Sequence, residues 1–233
     1  MRDSAALGPP FSAHSMKTTR AFTLIELLVV IALIAVLIGG FGLSLSEGAG
    51  SRLAAAQHAI QGLCGAARAQ AALHQTETRI VLYAEWPPAG DREKFLRLLQ
   101  VYRAAPAGSK TWLASSAPVY LPRGIYVLPP SLAGLIAADI PGPAQAMLRS
   151  TLREVEAPQG ESAAAFGDAT RAFAVEFQPD GSPAMEHESN LRVLVGTARD
   201  DGAGPRFDQT SAIRGVILRP SGATGLIDDP SEL

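Results

Sequence analysis

The chain has 233 residues, a formal net charge of −2 and a pI near 6.1. That length accommodates one domain plus an anchor, and the balance of charge gives no global case for binding nucleic acid, which needs clustered Lys and Arg. A single cysteine, Cys64, excludes an intrachain disulfide and a four-cysteine or Cys₂His₂ zinc site.

Residues 1–15 (MRDSAALGPPFSAHS) carry no pattern, and Met16 stands directly before the first informative segment. Residues 1–21 read as a leader peptide, of which 1–15 are either a longer cytoplasmic extension or follow an upstream start that is not used; the second reading, with translation from Met16, is preferred. Residues 27–45 (LLVVIALIAVLIGGFGLSL) then run without a charge. As a helix rising about 1.5 Å per residue, they nearly span a hydrocarbon core of about 30 Å. Lys17 and Arg20 precede the run, so its N-terminal side is expected in the cytoplasm and the remainder is exported. A secretory signal peptide is a poorer fit, because the apolar run is long and no A-x-A-like site follows it. On length alone a plain membrane anchor suffices. Glu26, set among apolar neighbours at the edge of the run, adds a functional expectation, since an unpaired carboxylate there is unfavourable.

Residues 17–31 (KTTRAFTLIELLVVI) resemble the N-terminal signal of type IV prepilins and pseudopilins. The resemblance implies cleavage by a prepilin peptidase between Ala21 and Phe22, N-methylation of the new Phe22 amine, and an assembly role for Glu26. In that family the carboxylate pairs with the terminal amine of a neighbouring subunit. An amine and a carboxylate attract strongly in low dielectric, and each relieves the other's desolvation. The sequence departs from the family in carrying Ala21 where Gly usually precedes the cut. Removal of residues 1–21 takes away Arg2, Lys17 and Arg20 but only Asp3, so the mature chain is more acidic.

No proline occurs between Pro10 and Pro87, which permits one long helix over 22–75, about 80 Å in length, crossing the membrane at about 24–45. Its second half is amphipathic. Leu53, Ala56, Ile60, Leu63, Cys64, Ala67 and Ala71 form one stripe, and Arg52, Gln57, Gln61 and Arg68 fall largely elsewhere. Cys64 lies on the stripe and reads as a small buried residue. Gly39, Gly40, Gly42, Gly48 and Gly50 mark a place where the helix can unwind, or where helices pack closely in the membrane.

Residues 76–233 are expected to form a periplasmic β-rich domain. Strands are predicted at 78–84, 95–103, 111–115, 119–121, 125–128, 171–177, 191–196, 213–219 and 224–228, separated by Pro/Gly turns. Gln178-Pro-Asp-Gly181 is a strong turn signal. Residues 131–157 read as a helical insertion, with Met147, Leu148, Leu152 and Val155 on one face, and 197–211 as a mobile loop. The expected class is α+β, with the long N-terminal helix packed on an antiparallel sheet domain. Residues 55–85 (AAQHAIQGLCGAARAQAALHQTETRIVLYAE) and 175–181 (VEFQPDG) resemble the helix-to-strand region and a hairpin of the GspH/FimT-like minor pseudopilins.

Chemistry-bearing motifs are sparse. There is no nucleophile elbow, phosphate-binding loop or dinucleotide fingerprint. His187, in MEHES, is half of a zinc motif whose second His is missing. His14 is lost on processing, and His58 and His74 read as surface positions on the helix. Asp200-Asp201 and Asp228-Asp229 lack the alternating ligands of a calcium loop. No catalytic residue, cofactor or metal is expected. The expected partners are other pilin or pseudopilin subunits, prepilin peptidase, an inner-membrane assembly platform and the membrane itself. Two alternatives are a DNA-uptake minor pilin and a plain single-pass anchored domain. The acidic tail IDDPSEL argues against the first, and nucleic acid is not an expected partner.

Overall fold

The protein is described by a computed structural model over residues 25, 27–29, 31, 48–86, 91–106, 108–109, 111–131, 135, 149–160, 163–184, 190–200, 202, 204–207 and 212–228. Two compact units divide the chain, Met1–Ser46 and Glu47–Leu233. In the second unit, α1 runs from Ala49 to His74. Gly48 precedes it in an extended conformation, ψ 149°, and the stretch 32–47 of the helix expected over 22–75 lies outside the described residues. The start of α1 falls within the glycine cluster, where helical backbone is weakest. Gln75 ends α1 in the left-handed region, its N–H bonded to the Ala71 carbonyl.

Leu53, Ala56, Ile60, Leu63, Cys64, Ala67 and Ala71 are buried, as their spacing predicts. Gln57 departs from expectation, being only 1% exposed. Its Nε2 donates to the carbonyls of Gly215 at 2.8 Å and Ile227 at 3.1 Å, which satisfies a polar group within the apolar stripe. Two arginines of α1 also reach the β domain. Arg52 Nη1 donates to Arg123 O at 2.9 Å, and Arg68 Nη1 to Gly222 O at 3.1 Å.

The strands are β1 (Thr78–Tyr83), β2 (Leu98–Ala104), β3 (Trp112–Ala114), β4 (Val119–Tyr120), β5 (Ile125–Val127), β6 (Arg153–Glu156), β7 (Arg171–Phe177), β8 (Leu191–Thr197), β9 (Arg199–Asp200), β10 (Pro205–Arg206), β11 (Ile213–Leu218) and β12 (Thr224–Ile227). One sheet has the order β3-β2-β1-β7-β6, with β4 also on β2; another has β12-β11-β8-β5; β9 and β10 form a ribbon. All these pairings are antiparallel. α1 packs against strands of both larger sheets. The α+β class is therefore observed in this unit.

The first sheet is buried on both faces, and residue parity sorts its side chains. Ile80, Leu82, Leu99, Val101, Phe173 and Val175 belong to the main core with α1. Val81, Tyr83, Leu98, Tyr102 and Ala172 point the other way, into a second cluster with Ala157, Phe166 and Ala169. Ala157, Phe166 and Ala169, from the connection between β6 and β7, supply that cover. Phe166 sits 5.8 Å from the Tyr83 ring and 5.9 Å from the Tyr102 ring. Burying a side chain of this size contributes about 1.5–3 kcal/mol.

Three expectations are corrected here. Residues 153–156, read as the end of a helix, are β6: Arg153 and Val155 pair with Ala174 and Ala172 of β7, and pairing overrides the short helical periodicity. Residues 132–134 and 136–148 of that segment lie outside the described residues. The stretch 197–211 is not simply a loop, because β9 and β10 pair within it and Phe207 is buried in the main core. Gly204 packs on the Trp86 ring, which itself meets Phe95 edge-on at 4.8 Å. Finally, β2 starts at Leu98 rather than at 95. Leu96 adopts φ +53° so that its N–H reaches Tyr83 O and its carbonyl accepts from Val127 N, both at 2.9 Å.

Candidate functional site

In the first unit, Ile25, Leu27, Leu28, Val29 and Ile31 are helical. At about 3.6 residues per turn these five positions spread over rather more than half of the helix circumference, wider than one face. Their side chains are between 50 and 71% exposed. So wide an exposed apolar surface is satisfied by a nonaqueous surrounding, either a bilayer or other helices. Ala21, Phe22 and Glu26 lie outside the described residues, as does most of the apolar run 27–45. Among the described residues no helix is long and apolar enough to cross a membrane.

The other residues with chemical potential are dispersed. Cys64 is buried in the main core beside Ile60, Leu82 and Val193, and burial pushes its thiol up to about 12. This thiol is protonated at neutral pH and has the character of a packing group. His58 and His74 are exposed on α1. The Asp200 carboxylate accepts from Gly202 N at 2.9 Å, and Asp228 pairs with Arg214 at 3.6 Å. His187, Asp201 and Asp229 lie outside the described residues. Among the described residues no three His, Cys, Asp or Glu side chains converge as a metal site requires.

Two features were missed by sequence reading. Glu85 Oε2 accepts three hydrogen bonds, from Thr170 N at 3.2 Å, Thr170 Oγ1 at 2.9 Å and Arg171 N at 3.2 Å. These donors, the Thr170 hydroxyl foremost, hold its carboxyl below the ordinary value. They fasten the end of the 157–170 connection to the end of β1. The second feature is Arg79, a charge within the otherwise apolar TRIVLY strand, which lies under Trp112 with its guanidinium carbon 4.0 Å from the ring centre. An arginine flanked by β-branched residues was the available signal, but its partner lies in another strand.

The exposed apolar helix places the weight of any functional reading on the N-terminal segment. Residues 16–42 match the family model of the prokaryotic N-terminal methylation motif. The match supports a type IV pilin-like protein processed as a prepilin. The matched span of the methylation motif contains Ala21, Phe22 and Glu26, together with the exposed apolar residues from Ile25 to Ile31. It also suggests assembly with other pilin subunits and attachment to a membrane. The motif stops before α1, so the globular unit stands on its own geometry. No curated protein and no solved structure matches the chain.

Proposed function

We propose that this chain is a minor pilin or pseudopilin, a structural subunit of a type II secretion pseudopilus or a type IV pilus-like filament. One observation carries the reading: the methylation motif at 16–42 encloses a lone carboxylate, Glu26, in an apolar segment. Prepilin peptidase cuts between Ala21 and Phe22 and methylates the Phe22 amine. The apolar helix leaves the bilayer for the filament core, and Glu26 sets register by pairing with a neighbour's terminal amine. The β-rich unit, with α1 on its sheets, lies in the periplasm on the filament's outside. Its resemblance to the GspH/FimT-like minor pseudopilins supports a minor rather than a major subunit. The role is structural rather than catalytic, and the acidic tail supports subunit assembly over DNA uptake.

Mass spectrometry of the mature protein tests the processing. The expected N-terminus is N-methylated Phe22; an intact leader would leave a plain membrane anchor. Glu26→Ala tests the assembly. The variant is expected to be inserted and cut normally but to be absent from purified filaments, whereas normal incorporation removes Glu26 from the mechanism.

A further inference from the structure

Arg79 occupies the central strand of the first sheet, on the face opposite α1, in register with Tyr102 on one side and Glu176 on the other. The residue is 6% exposed, and its Nε is buried without a hydrogen-bond partner. Neither Nη group meets an acceptor among the described residues. The surrounding polar groups are already engaged. Glu176 Oε2 accepts from Arg153 Nη1 at 3.4 Å. The Tyr102 hydroxyl donates to Gln100 Oε1 at 2.9 Å, and Gln100 Nε2 donates to Ser116 O at 2.8 Å. Among the described residues, the carboxylate beside Arg79 is thus engaged by Arg153, and Arg79 has no ion-pair partner of its own. Trp112 covers the guanidinium, its ring centre 4.0 Å from Cζ, which restricts the Arg79 rotamers before any ligand arrives. Burial draws the Arg79 guanidinium down to about 10, with Glu176 and then Tyr102 opposing the shift, so it is still cationic at neutral pH.

A fixed, charged, planar fork with free Nη donors matches the geometry of a carboxylate. We infer that Arg79 and Trp112 form a recognition point for a carboxylate group, on the face of the first sheet opposite α1. The inference is independent of the filament reading, since it rests on the globular unit alone.

The two tryptophans allow a direct test. The full chain is prepared in detergent with 5-fluorotryptophan, and its two fluorine resonances are assigned with Trp86→Phe. Sodium acetate is then titrated against sodium chloride at equal ionic strength. The expected result is a saturable shift of the Trp112 resonance with acetate only, while Trp86 stays still. Arg79→Gln, with an unchanged circular dichroism spectrum, is expected to lose the shift. The inference is overturned if acetate and chloride act alike, if neither moves Trp112, or if the shift survives in Arg79→Gln. The comparison of salts on the unsubstituted chain decides the matter even if Arg79→Gln fails to fold.

Discussion

Arg68 lies against the turn at Gly222, its Nη1 donating to the Gly222 carbonyl at 3.1 Å, and so ties the middle of α1 to the β11–β12 hairpin. Gly222 has φ +76°, and a Cβ built on it would stand 2.9 Å from Arg68 Cζ. Gly222→Ala is therefore expected to destabilise the protein by about 1–2 kcal/mol from the left-handed backbone, plus the displacement of Arg68. In Arg68→Ala the same substitution is expected to cost only the backbone part. Denaturant titrations of the four variants measure the coupling. Strict additivity would show that the close approach carries no energy.

Gln57 bridges two sheet carbonyls from within the apolar stripe of α1. Gln57→Ala leaves Gly215 O and Ile227 O without this donor and opens space beneath the helix. A loss of about 1–3 kcal/mol is expected. Gln57→Leu refills the space without restoring the bonds, so it is expected to fall between the two. Equal stability of Gln57→Leu and the parent would show that the hydrogen bonds add nothing net.

Glu85 makes stability depend on pH. Its folded-state carboxyl is held below the ordinary value of 4.5 by Thr170 and Arg171. The folded state thus prefers the ionised form. The stabilisation is complete above the unfolded value and is lost as pH falls through the lower folded value. Thermal melts of the parent and Glu85→Gln are expected to differ at neutral pH and to converge in acid as pH falls through the lower folded value. A gap that stays constant with pH would contradict this assignment.

Cys64 is expected to resist thiol reagents in the folded protein. The thiol is buried and its ionisation is pushed up to about 12, so neither access nor thiolate is available at pH 8. Labelling with a chromogenic disulfide should follow unfolding by denaturant. Rapid labelling of the native chain would show that α1 separates from the sheets.

The methylation motif, the buried stripe of α1 and most strand positions were legible in the sequence, because each is written in local residue order. The motif is a contiguous string, the stripe follows helical spacing, and the Gln178–Gly181 turn declares itself through Pro179 and Gly181, whose φ is +82°. The α+β class followed from the same local signals. Tertiary structure decided the features whose partners are distant in the chain. Residues 153–156 became a strand because β7 offered backbone partners. Leu96 took a left-handed conformation to join β1 and β5. Gln57 turned inward because two carbonyls more than 150 residues away accept its amide. Arg79 came under Trp112 through the pairing of β1 and β2 and of β2 and β3. Local propensity amounts to tenths of a kcal/mol per residue, whereas a buried polar group or an edge strand without a partner costs about 1–3 kcal/mol. Long-range satisfaction therefore prevailed wherever the two disagreed.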